Sequence, residues 1–514
     1  MRALVQADGR MLAPWDQQDA WVRPSGAPAT VRSRRIRPNL TNSVGLASPT
    51  SAHPLAEPAL SVMLQQRGEE IEAAFASVEP MLRRLAPQQF EGHFPQHAQR
   101  ELARLGISIE AAELASSWSK PLDLGLIHAR CVIATFCNLV EREFDRTHAL
   151  LEEGEDAESL IRRFGFHGID ITSCADGRLG GVVDFILRVP PAIVVAHSSY
   201  AGAMFDIETA LHQWEALELR RWRLGLPNDA TEPTRYLKIG VYHFSSVDPR
   251  HQGCAAHDSD EMRSASALLS RLEEFAGAIQ ATHGDATGVA TLLIGVDTDT
   301  DAIHVHIPDA AGVVDVARFA SSGILYGETA GLERDAAKAV IRAAVAECAG
   351  VDANDEATEG MRWLCGYLLK NNISQVDAVR ASSGGRYSDS GHAEKLIVIG
   401  DPIDDVQLRN LAFHVRMDTV EQGAQDLDVC LAILAKTHAP QGLAVPLLVH
   451  VVYDERIPGA RGRAMARACR LGAAVKNRYG ATATAAGLVV QEVVRAEGRS
   501  CMELVDPTPK EARG

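Results

Sequence analysis

Three side chains able to do chemistry stand at alternate positions of one short stretch, Cys174-Ala-Asp176-Gly-Arg178: a thiol, a carboxylate and a guanidinium. A second apolar run, Tyr236-Leu-Lys-Ile-Gly-Val-Tyr-His243, ends in an imidazole, and Cys254 follows it. Zinc takes thiolate and imidazole readily, and three protein ligands leave the fourth tetrahedral position for water. Cys174, His243 and Cys254 are therefore the candidate ligands of one zinc per chain. Asp176 and Arg178 suit the surroundings of such an ion, where an arginine grips a carboxylate through two parallel bonds and the carboxylate orients an activated water. Zinc brings the pKa of water to roughly 7, so the chemistry on offer is hydroxide attack on a small electrophile. With neither a G-x-G-x-x-G nor a Walker A motif to signal a large cofactor, carbon dioxide is the natural candidate.

These side chains need strands to carry them. Ile169 and Ile171 suit an interior parallel strand that ends at Cys174, and the carboxyl ends of such strands are where open α/β sheets bind ligands. Residues 162–350 alternate strands and helices and form the expected catalytic domain. Within it Val182–Leu187 and Ala192–His197 read as strands, and Asp206–Trp222 and Asp260–Ile279 as helices. Val289–Val296 and Ala302–Ile307 read as a hairpin around Asp297-Thr-Asp-Thr-Asp301. That turn has oxygen ligands at alternate positions but lacks the glycine and distal glutamate of an EF-hand, and is read as solvated. His304 and His306 share a strand face and are given structural roles. His251 and His257 compete with Cys254 as ligands, and His197 is a candidate proton shuttle.

Residues 351–514 look like a second copy. Ser382-Ser-Gly-Gly-Arg386 aligns on Cys174–Arg178, and Leu447–Tyr453 on Leu237–His243, at nearly one offset. By that alignment Ser382, Gly384, Tyr453 and Ala464 replace Cys174, Asp176, His243 and Cys254, so the copy is degenerate and cannot hold zinc in the same way. Residues 56–161 show apolar positions at three- and four-residue spacing, as in Ile127, Val132, Phe136, Leu139 and Val140, and read as an all-helical domain. Residues 1–55 hold seven arginines against three aspartates among Pro, Ser, Thr and Ala, and read as a disordered basic arm able to bind an acidic partner.

The 514 residues suffice for several domains, and 46% hydrophobic with 23% charged content is that of a globular protein. A net charge of −16 argues against nucleic acid as a partner. The amino terminus lacks the apolar core of a secretory signal and no apolar run is read as long enough to span a bilayer, so no membrane is expected. The nine cysteines show no compact disulfide framework.

Cys-x-Asp-x-Arg at 174–178, followed by His243 and Cys254, resembles the β-class carbonic anhydrases, and the longer stretch including His197-Ser-Ser-Tyr-Ala-Gly-Ala-Met-Phe-Asp206 resembles their carboxysomal shell branch, once set apart as an ε class. The resemblance implies a β-carbonic-anhydrase α/β domain with a degenerate α/β copy behind a helical domain. It also implies interconversion of bicarbonate and carbon dioxide at the inner side of the carboxysome shell, supplying Rubisco. By it, Asp176 accepts a hydrogen bond from the activated water, Arg178 holds Asp176, chains pair as homodimers or larger assemblies, and the arm contacts Rubisco. The gap between His243 and Cys254 is wider than the His-x-x-Cys of ordinary β enzymes. Two other readings stand beside this one: a scaffold with a structural zinc, which needs a fourth protein ligand, and a zinc hydrolase acting on a larger electrophile.

Overall fold

The computed structural model describes residues 53–151, 157–190, 193–226, 234–284, 288–352, 359–387, 391–403, 409–480 and 487–505. The basic arm, except for its last three residues, lies outside them, and Leu55 is already buried in the first core. Five helices lead: α1 (Pro58–Ala76), α2 (Val78–Leu85), α3 (Phe94–Ala103), α4 (Leu124–Leu151) and α5 (Ala157–Phe164). Then come β1 (Gly168–Cys174), β2 (Val194–Tyr200), α6 (Ile207–Arg223), β3 (Arg235–Phe244), α7 (Glu261–His283), β4 (Gly288–Asp297), β5 (Ile303–His306), β6 (Ala320–Ser321), α8 (Ser322–Thr329), α9 (Arg334–Ala349) and α10 (Gly360–Ser383). The chain ends through β7 (Leu396–Gly400), β8 (Ala412–Arg416), α11 (Val420–His438), β9 (Val445–Tyr453), α12 (Ala460–Tyr479), β10 (Leu488–Ala496) and β11 (Met502–Leu504).

The described residues build two sheets of the same plan. The first runs β2-β1-β3-β4-β5-β6 and the second β8-β7-β9-β10-β11. In each the first four strands are parallel and the strand after them turns back antiparallel. Parallel strands are buried on both faces, and every residue of β1 and all of β3 after Arg235 are buried, the polar Asp170 and Lys238 included. On the first sheet Ile169, Ile171, Leu237 and Ile239 pack against α5, α9 and α10, while Tyr236, Tyr242 and Leu293 pack against α6 and α7 on the other face. Each such Leu or Ile contributes roughly 1.5–3 kcal/mol on burial. The sheets meet along their edge strands β2 and β8.

Four expectations need correction. Val182–Leu187 is a π-helical turn and not a strand, because β1 is already flanked by β2 and β3 and offers no free ladder edge; the turn's apolar side chains fill the first core instead. Ser382–Arg386 is the end of helix α10 with Gly384 in the left-handed conformation (φ 65°), so it cannot correspond to the strand end at Cys174. In strand order β7, which ends at Gly400, takes in the second sheet the place that β1 takes in the first, and β9 the place of β3. The Asp297–Asp301 turn is buried: Asp297, Asp299 and Asp301 are 5%, 0% and 1% exposed.

The fourth concerns length: α4 does contain a segment, Leu124–Phe144, long and apolar enough to cross a membrane. Here Ala129, Val132, Ile133, Phe136, Leu139 and Val140 instead cover one face of the second sheet, against Leu448, Val489 and Val493. The helical region is thus a layer laid on its neighbours. Likewise α10, which a boundary at residue 350 assigns to the second copy, packs Leu364, Leu368, Leu369 and Ile373 into the first core.

Candidate metal centre

Ser173 of β1 pairs with Val241 of β3, so Cys174 and His243 emerge side by side at the carboxyl edge of the first sheet. The chain after β3 returns through Cys254 just before α7. One ligand atom from each of Cys174, His243 and Cys254 falls within 4.8 Å of the others, and all three residues are buried. The two sulfurs are 3.9 Å apart, and the Gly202 amide donates to Cys174 Sγ at 3.3 Å. The thiols divide the work of ionising: the bond from Cys174, and then the amides of Ala256 and His257, hold the Cys254 thiol below its ordinary value, while that bond and burial push Cys174 up.

The imidazole of His243 is fully buried, and neither of its ring nitrogens has a hydrogen-bond partner. A buried polar group without a partner is costly, and a metal ion is one way to satisfy it. Two thiols and such an imidazole are a donor set that fits zinc.

Asp176 stands beside this group, its Oδ2 3.4 Å from His243 Nε2. Arg178 grips it in a bidentate pair: Nε donates to Oδ1 at 2.9 Å and Nη2 to Oδ2 at 2.7 Å, with the Arg178 amide adding a third bond to Oδ1. Burial by itself would raise the Asp176 pKa, but Arg178 and then His243 hold it well below the carboxylate range. Arg178 is 0% exposed and spends its remaining nitrogen, Nη1, on the Gln252 carbonyl (2.7 Å) and Thr298 Oγ1 (3.3 Å).

Two further side chains reach the dyad from the chain beyond α10, and the sequence reading missed both. Glu394 accepts from the Gly177 amide at 3.1 Å, and His392 Nδ1 lies 3.2 Å from Glu394 Oε1 and 3.9 Å from Asp176 Oδ2. Asp176, His392 and Glu394 form the second cluster of metal-competent groups among the described residues. Burial would lower the His392 pKa, but the bond to Glu394 and the charge of Asp176 raise it, and its side chain keeps 21% exposure. The only signal in the sequence was His-Ala-Glu immediately before an apolar strand, where alternate residues share a face.

The remaining candidates lie elsewhere. His251 is exposed and bonded to Asp248 at 2.9 Å, while His257 is buried against Gly202; neither joins the ligand group. His197 lines a cavity of about 30 Å³ with Lys238 and Arg416, beside the buried Lys238–Asp170 pair (2.7 Å). His304 stacks on Phe244 and Phe319, and His306 meets the Tyr242 hydroxyl at 2.9 Å. At the equivalent edge of the second sheet Asp401 is saturated by Arg416 (2.6 Å), Arg467 (3.1 Å) and the Val452 amide (2.8 Å).

Comparison with known proteins matches three successive stretches to one family. The model for the carboxysome shell carbonic anhydrase N-terminal region covers residues 53–144, its catalytic domain 156–392 and its C-terminal region 393–508. A carboxysome shell carbonic anhydrase of Halothiobacillus neapolitanus is 40% identical over 447 residues, 85% of this chain and 86% of its own. Those of Hydrogenovibrio crunogenus and Parasynechococcus marenigrum are 37% and 38% identical, over 80% and 92% of this chain and 78% and 81% of theirs.

Proposed function

We propose, from the premise that the chain belongs to the carboxysome shell carbonic anhydrase family and is a carbonic anhydrase of the carboxysome, that Cys174, His243 and Cys254 hold one zinc ion per chain and that Asp176 and Arg178 serve the reaction beside it. The observation that carries the reading is the convergence of two thiols and a partnerless, fully buried imidazole within 4.8 Å, next to a carboxylate locked by arginine. Zinc supplies there a water activated for attack on carbon dioxide near neutral pH.

The protein's own residues do the rest. Arg178 keeps Asp176 ionised and fixed, so the carboxylate accepts a hydrogen bond from the reacting water and orients it. With both its oxygens engaged by Arg178, Asp176 is committed to the arginine, so the ion would be held by Cys174, His243 and Cys254. His392, backed by Glu394 and partly exposed, takes the released proton from the Asp176 side to solvent.

We further read the second sheet as a degenerate copy of the first, on their shared strand order, so that one chain of β-carbonic-anhydrase type imitates a dimer with one live site. The domain reading keeps a helical stretch at 56–161, a catalytic domain from 162 and the copy behind it. The chain works as a homodimer or larger assembly on the inner side of the shell and supplies carbon dioxide to Rubisco, with the arm at 1–55 as the Rubisco contact. A structural zinc in a scaffold requires a fourth protein ligand, and His251 and His257 fall outside the group.

Zinc content and stopped-flow carbon dioxide hydration on the same sample test this reading. About one zinc per chain, with turnover falling roughly 100-fold or more in Asp176→Ala while the metal stays, is the expected result. A metal-loaded wild type that hydrates no carbon dioxide would reject it.

A further inference from the structure

The turn between β4 and β5 puts three carboxylates out of reach of water, and what it grips reaches the dyad. Asp297 accepts from the Ser246 amide and hydroxyl at 3.1 and 2.8 Å, and Asp299 from Ser245 Oγ at 2.7 Å and the Val247 amide at 2.9 Å. Both acids therefore pin the chain that leaves His243. Thr298, between them, donates its amide to the Phe244 carbonyl at 2.9 Å and its hydroxyl to the same oxygen at 3.1 Å, while that hydroxyl accepts from Arg178 Nη1 at 3.3 Å. Thr298 thus touches the arginine of the dyad and the residue next to a candidate zinc ligand.

The turn is itself held from the far side of α10. Arg409 Nη2 donates to the Thr298 carbonyl at 2.6 Å, and its Nε lies 3.9 Å from Asp301 Oδ1. The guanidinium is stacked 3.4 Å over the Tyr387 ring; the Tyr387 hydroxyl donates to Asp301 Oδ2 at 2.9 Å and its amide to the Asp299 carbonyl at 2.8 Å. A planar fork stacked on an aromatic ring has little freedom left, so it fixes the carbonyl it binds.

We propose that Arg409, braced by Tyr387, is a positioning residue for catalysis: by holding the Thr298 carbonyl it sets where Thr298 Oγ1 meets Arg178, and so where Asp176 faces the ligand group. The inference rests on the dyad reading given above. It assigns to residues beyond α10 a part in the first sheet's chemistry that needs no contact with substrate. A small misplacement of a reacting group can cost up to about 100-fold in rate, so the effect is expected in kcat and not in binding.

The test uses the full chain, with kcat, KM, zinc content and thermal midpoint measured for wild type, Arg409→Gln, Arg409→Lys, Thr298→Val and the double variant Arg409→Gln/Thr298→Val. Arg409→Gln and Thr298→Val should each lower kcat about tenfold, with KM within about twofold and zinc retained. The double variant should be no slower than the slower single, because both changes cut one chain of contacts. Arg409→Lys keeps a charge opposite Asp301 and guards against simple unfolding; it should recover the thermal midpoint but not kcat. Multiplying losses in the double variant, an unchanged kcat in Arg409→Gln, its loss of zinc, or full recovery of kcat by lysine would each overturn the proposal. Failure of the dyad reading shows separately, as Asp176→Ala with wild-type turnover.

Discussion

His392 shows how the site divides between what a sequence displays and what only the fold assembles. Its Nδ1 is 3.9 Å from Asp176 and its ring is partly open to solvent, which fits a group that hands protons outward. His392→Ala should lower kcat roughly 100-fold in weak buffer, leave KM and zinc content unchanged, and regain much of the rate when small imidazole buffers are added, measured by stopped flow. A variant insensitive to buffer would remove the residue from that role. Cys174, Asp176 and Arg178 were legible in the sequence because they share five residues at one strand end, and His243 because it ends the next strand. Cys254 needed the loop after β3 to bring it back, and His392, Glu394 and Arg409 arrive from more than a hundred residues away, a distance over which spacing carries no signal. His197, a shuttle candidate from its place on β2, pairs in register with Ile171 and lines the cavity it shares with Lys238.

Elements read well where periodicity alone decides them. The hairpin of β4 and β5 and helices α6 and α7 fall within a few residues of their expected ends, and Asp206 and Asp260 cap the two helices through the amides of Thr209 and Arg263. Val182–Leu187 was misread because an apolar β-branched run looks alike whether it joins a ladder or fills a crossover. The Gly-Gly-Arg after Ser382 was misread because a helix cap and a strand-end turn both call for glycine. The helix α4 carries its own pH signature. Burial, and then the neighbouring His438, lower the pKa of His128 to about 4, so the fold holds this imidazole neutral. The unfolded chain binds a proton there below about pH 6.5 and the folded chain only below about 4, so stability present above 6.5 falls as the pH drops between these values, by at most about 3 kcal/mol for this group. His306, also lowered to about 4 by burial, acts in the same direction. The thermal midpoint should therefore fall between pH 6.5 and 4.5, and His128→Gln should flatten that fall; an unaltered slope would locate the acid sensitivity elsewhere.

For the molecule as a whole, the second copy was expected from two aligned segments, of which one, Ser382–Arg386, is the end of a helix; the two sheets share a strand order that neither alignment displayed. What the sequence could not display is that α10 belongs to the first core and that the second sheet's approach supplies Glu394 and Arg409 to the first sheet's site. Removing residues 1–52 should leave the hydration rate within about twofold of the full chain, since the described contacts of the site all lie at 174 and beyond, while weakening capture of Rubisco in a pull-down. Undiminished capture would reduce the arm to a leader. The apolar face of α4 has a last consequence, set by the order in which the chain is made. Its cover, β9 and β10, is translated some 300 residues later, roughly 15–60 s at about 5–20 residues per second. For that interval the face of α4 that will lie on Leu448, Val489 and Val493 waits for a cover the chain has not yet made, with Ile71 of α1 and the neighbouring α2 already in place beside it.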